Sequence, residues 1–232
     1  IPLWRGSKGS RAKDDIPLIT AEHRRSAFAE AFRHLRTNLL YLSPDRPLRR
    51  LVVTSPGVGE GKDTVAANLA IVISQLGRRV WLLDCDLRRP ALSTYFQPDT
   101  PFGVVELLVD GMGTDQVVHP TKVENLWFIP AGWGRPPSPA ELLASQKMRS
   151  FLEQGQDGAD VMVINTPPIL PVTDAAVLSP AVDGVLLVVY LGRTPRDAAR
   201  RARQQIESAG GRVLGVVVNG IPLPRRGHHY YY

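Results

Sequence analysis

Thr54-Ser55-Pro56-Gly57-Val58-Gly59-Glu60-Gly61-Lys62-Asp63-Thr64 follows the apolar run Leu51 to Thr54 and opens a helix-length segment, Asp63 to Leu76. A glycine-rich turn between a strand and a helix can wrap phosphates. Gly57, Gly59 and Gly61 let backbone N–H groups approach an anion, which the helix N-terminus also favours. Val58, Glu60, Asp63 and Thr64 complete the expected nucleotide-binding stretch, and the Lys62 ammonium would reach the terminal phosphates. A plain structural turn is the competing reading. Gly61-Lys62 at a strand-to-helix junction, with two acidic strand ends downstream, favours the phosphate site. Two departures from the strict Gly-x4-Gly-Lys-Ser/Thr form stand out. Pro56 replaces the first glycine, and Asp63 replaces the hydroxyl residue that would hold Mg²⁺. A carboxylate there could ligate Mg²⁺, but it also sets negative charge beside the β- and γ-phosphates, which puts catalysis in doubt more than binding.

Working outward, short apolar runs recur at Val80 to Leu83, Leu126 to Ile129, Val161 to Ile164, Val185 to Tyr190 and Val213 to Val218. Most are unbroken, as parallel strands covered on both faces require. Pro139 to Gln154, Thr173 to Ala181 and Pro195 to Ala209 read as helices between them. Ahead of the loop, Phe28, Phe32, Leu35 and Leu39 form one stripe of a helix from Ser26 to Leu42. The pattern predicts an α/β fold: an open, mostly parallel sheet with helices on both faces, of the P-loop NTPase type with a deviant Walker A loop. Ligands of such sheets sit at the carboxyl ends of the strands.

Two strand ends carry candidate chemistry. Val80-Trp81-Leu82-Leu83-Asp84-Cys85-Asp86-Leu87-Arg88-Arg89-Pro90 ends a buried strand with two carboxylates, suited to Mg²⁺ coordination and activation of an attacking hydroxyl. Helix capping with a salt bridge to Arg88 is the alternative. Asp160 to Pro168 has the form of a Walker B strand, with Asn165 where a carboxylate is expected. The acidic set is one charge short at Asn165 and one over at Asp63.

The chain is long enough for one domain, read as a linker over residues 1–25, a folded domain over 26–221 and a tyrosine-rich tail over 222–232. Its 28 Lys and Arg against 22 Asp and Glu favour an anionic partner such as nucleotide phosphate or a membrane surface. Cys85 is the only cysteine, so no intrachain disulfide forms and a cytoplasmic setting is expected. No apolar run approaches the ~20 residues of a spanning helix. The chain begins with Ile1, as expected of a piece cut from something longer.

Taken together these segments resemble the bacterial tyrosine kinases that work with polysaccharide co-polymerases in capsule and exopolysaccharide synthesis. The likeness runs from about Ser26 to Tyr232. It rests on Glu30-Ala31-Phe32-Arg33-His34-Leu35-Arg36-Thr37-Asn38, Gly59-Glu60-Gly61-Lys62, the Asp84-Cys85-Asp86 strand end, Pro139 to Ser145, Thr166-Pro167-Pro168 and Thr173-Asp174-Ala175. It implies ATP bound with Mg²⁺ and Lys62, Asp84 and Asp86 as catalytic residues, with Asp84, Asp86, Asp63 and Asn165 around the metal. It also implies a ring-forming homo-oligomer assembled through Glu30, Arg33 and Arg36. In such a ring Tyr230, Tyr231 and Tyr232 of one subunit enter the neighbour's site as phosphoacceptors. The implied setting is the inner face of the bacterial cell membrane, beside a transmembrane polysaccharide co-polymerase or adaptor, fused or separate. A cognate tyrosine phosphatase is implied as well, and no nucleic acid. Two other readings stay open: a catalytically impaired regulatory domain of the same family, and a partition or cell-division-positioning ATPase. The latter carries a further Lys five residues before Lys62, where this chain has Gly57.

Overall fold

Strands that are apolar along their whole length need cover on both faces, and here alternate residues of the inner strands enter two separate cores. The computed structural model describes residues 1–3, 18–23, 25–42 and 47–222. Its strands are β1 (Arg50–Thr54), β2 (Val80–Asp84), β3 (His119–Pro120), β4 (Leu126–Ile129), β5 (Val161–Asn165), β6 (Gly184–Tyr190) and β7 (Val213–Asn219). The helices are α1 (Ile19–Glu22), α2 (Ala27–Tyr41), α3 (Lys62–Ser74), α4 (Ser93–Phe96), α5 (Val104–Val109), α6 (Thr114–Val117), α7 (Pro139–Leu143), α8 (Gln146–Gln154), α9 (Asp174–Leu178) and α10 (Arg196–Ser208).

The sheet order is β3-β4-β2-β5-β1-β6-β7, parallel throughout except for the antiparallel edge β3. Leu51, Val53, Leu82 and Val163 pack beneath α1, α2 and α3, while Val52, Leu83, Met162 and Ile164 point into the opposite core with α5, α8 and α9. The predicted sheet with helices on both faces is what forms. α3 is apolar nearly all round because it lies between α2 and the sheet. Ser26 caps α2 by accepting from the Ala29 N–H at 3.1 Å, and the stripe of Phe28, Phe32 and Leu39 is buried. Among the described residues no helix is long and apolar enough to cross a membrane.

Several boundaries differ from the sequence reading. Pro139 to Gln154 is two helices, because the Ser145 side chain caps a new start by accepting from Met148 N at 3.2 Å. Thr173 to Ala181 is α9 followed by a 3-10 turn through Pro180. The fold also begins before Ser26. Ile19 and Thr20 are fully buried, Thr20 Oγ1 donates to Asn68 Oδ1 of α3 at 2.9 Å, and Leu3 N donates to Ile221 O at 2.7 Å just past β7. Residues 4–17 and 24 of the expected linker lie outside the described residues, as do 223–232 of the tail.

The topology fixes where chemistry can occur. β5 lies between β1 and β2, and Asn165 at its end is in register with Val53 on one side and Asp84 on the other. The loop after β1 and the acids after β2 therefore converge on the last residue of β5.

Candidate active site

The loop after β1 folds around its own glutamate. Glu60 is buried, and its carboxylate accepts from the Gly57 N–H at 2.7 Å and from the Thr194 hydroxyl. The Gly57 N–H, expected to face an anion, is thus spent inside the loop. Gly59 and Gly61 do adopt left-handed backbone, with φ of 76° and 91°. Gly61 is also sterically fixed, since a Cβ there would lie 2.1 Å from Asn219 Nδ2. Asn219, at the end of β7, braces the loop by donating to Glu60 O at 3.1 Å.

Lys62 opens α3 with its side chain only 8% exposed, and its ammonium donates to Asp63 Oδ1 at 2.6 Å and Asp86 Oδ2 at 2.8 Å. Burial by itself lowers the pKa of this ammonium, but Asp63 and then Asp86 outweigh it and the net shift is upward. The group that would meet phosphates is here held between two carboxylates. A cavity of about 340 Å³ opens beside it, with Gly59, Lys62, Asp63, Asp86, Arg88 and Arg89 on its wall.

Asp84 lies behind that wall. Its side chain is fully buried and accepts from Asn165 Nδ2 at 3.0 Å, Asp86 N at 3.2 Å and Leu92 N at 3.2 Å. Burial, reinforced by the Asp63 charge, pushes its pKa up to about 7. Burial also drives the Cys85 thiol between the two acids well above its usual range, so it is no nucleophile.

The two departures seen in the sequence meet in space. Asn165 Nδ2 donates to Asp63 Oδ1 at 2.8 Å as well as to Asp84, so the amide bridges the helix and the strand. The missing strand-end charge has moved across a hydrogen bond to the start of α3, and the local count of carboxylates is unchanged. Among the described residues Asn165 Oδ1 is buried without a hydrogen-bond partner, which leaves an acceptor beside the site.

Arg88 does not pair with Asp84 or Asp86. Its Nε donates to both oxygens of Asp174, at 3.1 and 3.2 Å, and Asp174 is fully buried at the start of α9. Sequence reasoning gave no role to Asp174, Thr194 or Asn219. Thr173-Asp174-Ala175 was the signal for the first, while the others fall in loops and strand ends without a motif. Arg33 is bonded to Glu30, and Arg36 donates to Val72 O at 2.6 Å, so part of the expected oligomerisation set is engaged within the chain. Tyr230, Tyr231 and Tyr232 lie outside the described residues.

A glycine loop leading from an inner strand into a buried helix, with its lysine between an acid of that helix and one just past a nearby strand end, defines a P-loop nucleotide-binding protein. Residues 51–197 match the family model described as an AAA domain. The chain is 34% identical over 228 residues to the tyrosine-protein kinase YwqD of Bacillus subtilis, covering 98% of this chain and 95% of that protein. It is 32% identical to the putative tyrosine-protein kinase CapB of Staphylococcus aureus, over 93% of this chain and 94% of that one. The kinase domain of the Escherichia coli tyrosine kinase ETK superposes with a TM-score of 0.88 at 30% identity, covering all of this chain and 92% of that one. The chain belongs to the bacterial tyrosine-protein kinases.

Proposed function

We propose that the chain transfers the γ-phosphoryl group of ATP to Tyr230, Tyr231 and Tyr232 of a second copy of itself, as a regulatory step in capsule or exopolysaccharide polymerisation and export. The observation that carries this reading is the Lys62 ammonium between Asp63 and Asp86 in the wall of the cavity beside the phosphate loop. On nucleotide binding the ammonium exchanges a carboxylate for a phosphate oxygen. The bond from the γ-phosphorus to the β,γ-bridging oxygen breaks, a bond to the tyrosine oxygen forms, and ADP leaves. The phenol proton passes to a carboxylate at the end of β2. Asp86 lines the cavity and can orient the hydroxyl, while Asp84 behind it has the pKa of a proton acceptor near neutrality.

Among the described residues no three His, Cys, Asp or Glu side chains are gathered as a metal site by themselves. That suits Mg²⁺, which takes one or two carboxylates and completes its shell with substrate phosphates and water. Asp63 and Asp86 on the cavity wall would hold it, with the free Asn165 Oδ1 available to a bound water. When bound it would neutralise charge on the transferring phosphoryl group. Asp84 gives this a pH signature. Its folded pKa is raised from 3.8 to about 7, so the folded chain holds a proton that the unfolded chain has released. The associated stability is complete below pH 3.8 and is lost as pH rises to about 7. A divalent cation nearby favours the ionised form. Binding of Mg-ADP should therefore tighten about fivefold as pH rises from 6 to 7 and about tenfold in all, levelling off about one pH unit above the Asp84 pKa. Calorimetry in buffers of different ionisation enthalpy should find up to one proton released at pH 6.5. No release would remove Asp84 from the metal's surroundings.

The transmembrane co-polymerase or adaptor, the ring, the membrane-proximal setting and a reversing phosphatase belong to the same proposal. For assembly, Glu30 is exposed and Arg33 is half-buried on one face of α2. Arg33→Ala together with Glu30→Ala should turn an oligomer into a monomer in light scattering with circular dichroism unchanged. A wild-type chain that stays monomeric at high concentration with nucleotide present would count against the ring.

A further inference from the structure

Trp133 is 78% exposed, yet the backbone of the loop that carries it is tied down by hydrogen bonds. The buried carboxylate of Glu106 accepts from Trp133 N at 2.9 Å and Gly134 N at 3.0 Å, and from Gly103 N at 2.8 Å. Val104 N and Val105 N donate to Pro130 O and Ala131 O at 2.9 and 3.0 Å. Gly132 has φ of 111°, and a Cβ there would lie 2.4 Å from Glu106 Oε2. A buried acid and a residue that must be glycine thus hold a large apolar ring out in solvent. Such an arrangement suits a recognition platform, since the ring loses little freedom when a ligand covers it.

In front of Trp133 lies a cavity of about 740 Å³, lined by Pro98, Pro101 and Pro130 and by Arg88 and Arg135. Arg88 also lines the cavity beside the phosphate loop, so the two spaces adjoin at that side chain. Proline rings, an indole and guanidinium groups are partners for a second aromatic ring, through offset stacking and cation–π contact. In an extended segment, alternate side chains stand about 6.5–7 Å apart on one side. In an extended tail Tyr230 and Tyr232 would share one side, so either of them placed at the phosphates leaves the other two residues away.

We propose that the cavity before Trp133 is an acceptor subsite: it holds one tyrosine ring of the Tyr230–Tyr232 cluster of a second copy while a neighbouring tyrosine receives the phosphoryl group. This rests on the autokinase reading above and adds Trp133 and Arg135 as residues that select a clustered acceptor. It also supplies a physical reason for three adjacent tyrosines, since a solitary one leaves the subsite empty.

The test uses a fluorescent peptide with the sequence of residues 221–232, against the whole chain and its Trp133→Ala and Arg135→Ala variants. Anisotropy should find the peptide bound at least tenfold more weakly by Trp133→Ala, with Mg-ADP affinity and circular dichroism unchanged. In transfer assays the KM for the peptide should rise by the same factor at nearly constant kcat. A peptide in which two of the three tyrosines are alanine should bind the natural chain weakly and be indifferent to Trp133→Ala, an outcome that general damage to the loop would not produce. Equal binding of the full peptide by the natural chain and Trp133→Ala would overturn the proposal, as would no binding by either. The anisotropy result decides the subsite even if no tyrosine is phosphorylated, so its failure and that of the kinase reading are separable.

Discussion

Lys62→Ala should weaken Mg-ADP and Mg-ATP binding by a hundredfold or so, about 2.8 kcal/mol, and remove tail phosphorylation altogether. The size follows from the neighbours of the ammonium rather than from the lost contact alone. Asp63 and Asp86 both bond to Lys62, so truncation leaves two carboxylates facing the cavity where phosphates must enter. Attraction is lost and repulsion is uncovered at once. The same two charges would be uncompensated in the nucleotide-free fold, so its melting temperature should fall as well. Isothermal calorimetry reads the first effect and thermal unfolding without nucleotide reads the second. An affinity within threefold of the natural chain would take Lys62 out of the phosphate site.

The second large effect concerns Asp63 and Asn165, which the structure turns from two separate defects into one pair. Asn165→Asp alone would place a third carboxylate within hydrogen-bond distance of both Asp63 and Asp84, and transfer should fall about a hundredfold. Asp63→Ser alone frees Lys62 from one partner but leaves the site a carboxylate short, and a loss of about tenfold is expected. Together the two changes return the carboxylate to the end of β5 and a hydroxyl to the loop, so the double variant should match or exceed the natural chain. Initial rates of autophosphorylation across the four proteins give the coupling, and strict additivity would mean that the pair does not act as a unit. If each single change instead accelerates transfer, the natural chain is an impaired member of its family.

The difference between these two residues as a list and as a pair shows what the sequence could and could not tell. The sheet was legible because unbroken apolar runs alternate with helix-length segments, and the phosphate loop because its glycines and lysine fall within six residues. The stripe of Phe28, Phe32 and Leu39 marked the first long helix in the same way. Helices of four residues, such as Ser93–Phe96 and Thr114–Val117, carry too little periodicity to register, and Ser145 reads as an interior residue until its capping bond is seen. Asp63 and Asn165 are 102 positions apart, and only the register of the central strands joins them. Glu60 reads as a nucleotide contact because it lies in the loop, yet its carboxylate turns inward to Gly57 and Thr194. Lys62 reads as projecting toward phosphate, and its ammonium is also the centre of an ion cluster with Asp63 and Asp86.

The destination of the phosphoryl group tests the autokinase reading most directly. Incubation of the purified chain with Mg-ATP, followed by anti-phosphotyrosine detection and mass mapping of its peptides, should place phosphate on Tyr230, Tyr231 and Tyr232. A Lys62→Ala chain should acquire it only when mixed with an active copy whose own three tail tyrosines are phenylalanine. Absence of phosphotyrosine, or phosphate confined to Tyr41, Tyr95 or Tyr190, would contradict the autokinase reading.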